Sequence, residues 1–203
     1  MRRGTTLVEL LLFLAFFALS SGVLLSFFFM TSEQRIRQQT IAIVEQSGIQ
    51  LLQTITHRIR NAERVLDPPS GSSGSVLALE LHDSDLHPTI LSLSGAYLYV
   101  GEGNSVRRLS TDEVMISDMS VTNTSALENT PSVLLRFTVT RDIALTTPVH
   151  YVRQFEALVS LFPDDAPNPP CSCENPSCTE GVYSWQYCVD TTCTNTDVSL
   201  PCG

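Results

Sequence analysis

Glu9 is the one carboxylate set among apolar neighbours at the start of the chain. It interrupts Leu7-Val8-Glu9-Leu10, beside a run from Leu10 to Met30 that carries no charge over 21 positions. A carboxylate at the edge of such a segment costs about 2–3 kcal/mol on insertion scales and marks a function rather than a filler position. A second group with chemistry is the set of six cysteines, Cys171, Cys173, Cys178, Cys188, Cys193 and Cys202, all within the last 33 residues. Zinc would favour paired Cys-x2-Cys knuckles, which are lacking, and the cysteine-rich tail has no histidine. In an oxidising compartment an even number of closely spaced cysteines reads as disulfides, and the spacing does not choose among the pairings. The four histidines are His57, His82, His87 and His150. His82-Asp83-Ser84-Asp85 and His87 contain donor types for a divalent metal, but a solvated polar loop is the favoured reading. Asn123-Thr124-Ser125 matches a glycosylation sequon, a weak signal by itself. No Gly-rich phosphate loop, nucleophile elbow or paired-carboxylate motif occurs, so the chain is read as a non-enzyme without a cofactor or metal.

The charge-free run needs an element to carry it. At about 1.5 Å per residue, a helix over Leu10–Met30 spans about 30 Å, the thickness of a bilayer core. Arg2 and Arg3 precede it, which puts the N-terminus in the cytoplasm and the remainder outside. An ordinary secretory signal fits poorly. The run is too long, and Glu33, Arg35 and Arg37 follow it in place of a small-residue cleavage site. A plain membrane anchor remains as the simpler alternative.

The helix is expected to continue. Ile41, Val44, Gly48, Leu51/Leu52, Ile55, Ile59, Ala62 and Leu66 recur in steps of three and four, an amphipathic stripe that reads as core. No proline interrupts positions 5 to 67, and Asp67-Pro68-Pro69-Ser70-Gly71 ends the element. The whole helix is then about 60 residues, on the order of 90 Å. Gly22 is either a soft point or a small residue at a helix–helix contact.

Beyond Pro69 the period changes to two. Strands are expected at Val76–Leu81, Thr89–Leu93, Ala96–Val100, Ser105–Leu109, Met115–Val121, Val133–Thr140 and Val149–Phe162, with a hairpin over Leu91–Tyr99. The fold class is therefore α+β: a long N-terminal helix packed on a mainly antiparallel sheet, with a disulfide-rich C-terminal appendage. The expected divisions are a leader (1–4), a membrane helix (5–30), its amphipathic continuation (31–67), a β-rich globular domain (75–162) and a cysteine-rich tail (163–203). In the tail, Trp185 with Tyr183 and Tyr187 either forms a binding surface or packs over the disulfides.

Charge narrows the partners. Net charge is −9 and every cation is an arginine; removing Arg2 and Arg3 leaves −11. Such a surface repels a phosphate backbone, so no nucleic-acid partner is expected. Having no lysine, the chain lacks the amine through which sortase-type pili join their subunits.

The segment Arg2-Arg3-Gly4-Thr5-Thr6-Leu7-Val8-Glu9-Leu10 resembles the class III signal of type IV prepilins: a short basic leader, a glycine, then an apolar helix with Glu at its fifth residue. The family often has Phe or Met after the cut, where this chain has Thr5. The resemblance implies cleavage by a prepilin peptidase after Gly4 and N-methylation of Thr5. It also implies pairing of the new Thr5 amine with Glu9 of a neighbouring subunit, which sets axial stagger in a filament; in hydrocarbon neither charge is stable alone. The arrangement of helix and strands over Thr5–Phe162 is similar, at the level of pattern, to the J-type pseudopilins of type II secretion and the W-type minor pilins. Implied partners are other pilins through the N-terminal helix, the peptidase and an inner-membrane assembly platform. The implied location is the inner membrane, with the domain outside, and then a periplasmic or extracellular filament. The alternative is a membrane-anchored binding or adhesion module that displays a disulfide-stapled domain.

Overall fold

The structure is a computed structural model that describes residues 7–81, 83, 86–125, 131–144, 148–162, 173–189 and 191–201. The chain is α+β. Among the described residues one helix, α1 (Leu7–Arg60), is followed only by strands. Two compact units divide between Ala42 and Ile43.

The first unit is helix. It runs unbroken through Gly22, around whose Cα there is open space. Ser20 and Thr31 turn their hydroxyls back onto the Phe17 and Phe27 carbonyls, which satisfies them without a partner outside the helix.

The second unit contains the end of α1 and every strand. Val44, Gly48, Leu51, Ile55 and Ile59 are buried, the expected stripe at steps of three and four. Gly48 is required by packing: a Cβ there would lie 2.1 Å from the Phe155 ring. The helix stops seven residues earlier than the expected Asp67. Asn61 N–H closes the last turn on the His57 carbonyl. The chain then enters β1 (Ala62–Asp67), antiparallel to the later strand at Val76–Leu81. The apolar stripe continues into Ala62 and Leu66, but a strand partner decides the conformation, which helical periodicity alone does not reveal.

The remaining strands of the body are β2 (Ser73–Gly74), β3 (Val76–Leu81), β4 (Thr89–Ser94), β5 (Tyr97–Glu102), β6 (Ser105–Arg108), β7 (Met115–Asn123), β8 (Ser132–Ile143) and β9 (Val149–Ser160). They form two antiparallel sheets, ordered β1-β3-β4-β5-β6 and β2-β7-β8-β9, where the sequence suggested one. Gly95 supplies the positive φ, 59°, that turns β4 into β5. Val133, Leu135, Phe137 and Val139 of β8 point inward, opposite Phe155 and Val159 of β9, as period two requires. Together with Leu51, Ile55 and Ile59 of the helix they form the main core.

Five short strands follow: β10 (Ser177–Thr179), β11 (Val182–Ser184), β12 (Gln186–Val189), β13 (Thr192–Asn195) and β14 (Leu200–Pro201). Glu180 and Gly181 both have positive φ, 54° and 78°, at the tight β10–β11 turn. This tail shares the compact unit of the sheets. It covers one face of the five-stranded sheet, where Tyr183, Trp185 and Leu200 bury themselves against Val76, Ala78 and Ile90. Every residue of β3 is consequently buried: Leu77, Leu79 and Leu81 in the main core, Val76 and Ala78 under the tail.

Candidate functional site

Glu9 lies in the first turn of α1 and is exposed. A carboxylate there favours the helix by about 0.3–1 kcal/mol through its N-terminal dipole. Gly4 and Thr5, the expected cleavage and methylation positions, lie outside the described residues. Leu12, Phe16, Leu19, Phe27 and Phe28 are typical of the segment, each about 70% exposed. Burying one such side chain is worth about 1.5–3 kcal/mol, so this surface favours an apolar surrounding over water. By length and composition α1 is long and apolar enough to cross a membrane. Ala18, Gly22 and Ser26 line a shallow groove along one face of the segment.

Cys173 and Cys193 form a disulfide across 20 residues, and Cys178 and Cys188 are also disulfide-bonded. Cys171 and Cys202 lie outside the described residues. The aromatic residues of the tail do not form an exposed surface. Trp185 is 3% exposed, and its Nε1–H donates to the Gly103 carbonyl at 2.7 Å. The Tyr183 hydroxyl donates to Asp67 at 2.9 Å. Burial, reinforced by the adjacent Asp67 carboxylate, pushes the Tyr183 phenol far above its ordinary value, so it remains a donor at any physiological pH. Ring and hydroxyl together lock the tail to the sheet.

At the border between tail and sheet is a cavity of about 10 Å³, whose described lining includes Arg64, Glu80, His87, Cys173, Glu174 and Gln186. Glu80 is 7% exposed and accepts a charge-assisted hydrogen bond from Arg64, its direct partner across β1 and β3. His87 is 5% exposed, and its Nδ1 has no hydrogen-bond partner among the described residues. Burial holds the His87 pKa below its ordinary value, opposed by Glu80 and reinforced by Arg64. The ring is neutral at pH 7. His87 is therefore buried, where a solvated loop is expected from the sequence. The available signal was Glu80, a charge within the apolar run Val76-Leu77-Ala78-Leu79-Glu80-Leu81.

A wider recess of about 300 Å³ opens within the tail, with a described lining that includes Asn175, Ser177, Ser184, Trp185, Gln186 and Asn195. Glu174, Asn175 and Gln186 line both spaces.

The other histidines are dispersed. His57 is exposed near the end of α1, and His150 pairs with Asp142 across β8 and β9 on the surface. His82 and Asp85 lie outside the described residues. Among the described residues no group of three or more His, Cys, Asp or Glu is placed to hold a metal. Asn123 of the sequon is 4% exposed; its amide donates to the Pro68 carbonyl at 2.9 Å and accepts from Ser125 N–H. Its amide is spent on turn structure rather than presented to solvent. Glu102, its side chain 10% exposed, bridges Arg58 of the helix end and Arg107 of β6. This makes it a structural tie between α1 and the β5–β6 hairpin. No protein-family model, curated protein or solved structure matches this chain.

Proposed function

We propose that this chain is a prepilin-type subunit, a minor pilin or pseudopilin. In this reading it is cut after Gly4, held in the inner membrane by its N-terminal helix, and then packed through that helix into a type IV pilus or type II secretion-like filament. The observation that carries the reading is Glu9, a lone carboxylate five residues after Gly4 at the head of the charge-free segment Leu10–Met30. A plain anchor gives that carboxylate no role, whereas assembly gives it the Thr5 amine of the next subunit as a partner. Supporting it, α1 continues without a break into a buried stripe packed on antiparallel sheets, so one element joins an apolar segment to a folded domain. The groove at Ala18, Gly22 and Ser26 suits close approach of a second helix. The chain's role is structural, and cleavage and export are the work of the peptidase and the assembly platform. A strand-rich domain with an added tail favours a low-copy subunit, since bulk is hard to repeat on a tight lattice.

The test is the intact mass and N-terminal sequence of the chain co-expressed with a prepilin peptidase. A product beginning at Thr5, with or without one methyl group, is expected. A product still beginning at Met1, beside a correctly cut control pilin, would overturn the proposal. A second reading, a membrane-anchored binding module, draws on the recess in the tail. Glu9→Ala separates the two: it impairs filament assembly in the first and leaves anchoring and binding intact in the second.

A further inference from the structure

We propose that a recess in the disulfide-held tail binds a neutral, hydroxyl-rich ligand, most fittingly the end of a carbohydrate chain. The inference does not rest on the prepilin reading.

Size comes first. The recess of about 300 Å³ is at the lower end of the range for small-molecule sites, about 300–1,000 Å³, and fits one or two sugar rings. Its lining chemistry is next. Asn175, Gln186 and Asn195 supply amides and Ser177 and Ser184 supply hydroxyls, so the lining offers both donors and acceptors. A sugar presents the same mixture. Asn175, Ser177 and Ser184 are exposed, so their hydrogen bonds are available for exchange from water to a ligand.

Depth is the third point. The smaller cavity, about 10 Å³, shares Glu174, Asn175 and Gln186 with the recess. That volume holds one water, or one hydroxyl in its place. His87, whose buried Nδ1 has no hydrogen-bond partner among the described residues, is part of the lining of this cavity. Leaving such a group unpaired is unfavourable, and a ligand hydroxyl bonded to it removes that cost. A hydroxyl suits either tautomer, because it donates and accepts.

Charge then excludes competing ligands. Arg64 and Glu80 neutralise each other, and Glu174 adds a negative charge, so phosphate, sulfate and carboxylate groups are repelled. Trp185, the one aromatic residue in the described lining of the recess, is buried and hydrogen-bonded, leaving little apolar surface for a lipid or an aromatic ligand. The site is also organised in advance. Cys173 is tied to Cys193, and Gln186 is fixed by Asn195 and by Glu174 N–H, so little order is lost on binding.

The test uses the full chain in phosphatidylcholine nanodiscs, which avoids sugar-headed detergents, on an array of immobilised oligosaccharides. Neutral hexose and N-acetylhexosamine termini are expected to bind, and their sialylated or sulfated counterparts to bind at least tenfold more weakly. Free neutral sugar should compete; free inorganic phosphate should not. Ser184→Phe, which fills the recess, should reduce binding tenfold or more. Asn175→Ala removes an exposed amide without touching the buried contacts, and should reduce it several-fold with Trp185 emission unchanged. No binding to any neutral glycan at millimolar concentration would overturn the proposal. So would a preference for anionic glycans, or wild-type binding by Asn175→Ala and Ser184→Phe.

Discussion

Gly101→Val tests the docking of the tail from the side of the sheet. Gly101 is buried in β5, and a Cβ there would lie 3.0 Å from two atoms of the Trp185 ring and 3.2 Å from Leu200 Cδ1. Valine adds two further methyl groups at a point already too close. The ring cannot yield easily, because its Nε1–H is fixed to the Gly103 carbonyl. Overpacking of this kind costs about 1–3 kcal/mol. Strand propensity works in the opposite direction, since valine suits a strand better than glycine by up to about 1 kcal/mol. A net loss of about 2 kcal/mol in tail docking is expected, roughly a 30-fold shift toward the undocked state. Trp185 is the only tryptophan, so its emission reports docking directly. In a urea titration of the full chain in micelles, with a slope of about 1–2 kcal/mol/M for a small segment, the emission midpoint should fall by about 1–2 M. Gly101→Ala should show a smaller fall. An unchanged midpoint and emission maximum in Gly101→Val would refute the packing of Trp185 on β5.

Three further expectations are independent of that one. His87 binds its proton less tightly in the folded state than the ordinary value of about 6.5, chiefly through burial, so its contribution to stability is present above that pH and is lost as pH falls below it. The urea midpoint should therefore drop more between pH 7 and pH 5 in the wild type than in His87→Gln; equal drops would count against a neutral buried ring. Reduction of the disulfides, one of which spans 20 residues, should cost about 3 kcal/mol of tail stability. Trp185 emission should shift red in reductant while circular dichroism of the sheets persists, and an emission indifferent to reductant would contradict the stapling role. Asn123→Ala leaves the Pro68 carbonyl without its donor and should cost about 1–3 kcal/mol, lowering the thermal midpoint by several degrees; a wild-type midpoint would show the turn to be incidental.

The helix and most body strands were legible because their signals are local and repeat. Steps of three and four placed Val44, Leu51, Ile55 and Ile59 on a buried face, and period two placed Val133, Leu135, Phe137 and Val139 inward on β8. The end of α1 was misplaced because Ala62 and Leu66 satisfy a helical stripe and a strand equally well. Only β3, far along the chain, decides between them. His87 was read as part of a polar loop for a related reason. Its burial depends on β1, β3 and a tail segment about 90 residues later, and no local pattern encodes that meeting.

By itself the sequence determined the charge-free segment, the position of Glu9, the α+β order of elements and the concentration of cysteines in the tail. These follow from composition and short-range periodicity, which the chain carries wherever it folds. Tertiary structure alone decided that the strands divide between two sheets and that Tyr183 and Trp185 seal a second core. It also decided that Asn123 is withdrawn into a turn and that a polar cavity lies beneath the tail beside an unpartnered imidazole. Each of these depends on which distant surfaces meet, and burial is a property of that meeting rather than of any residue alone.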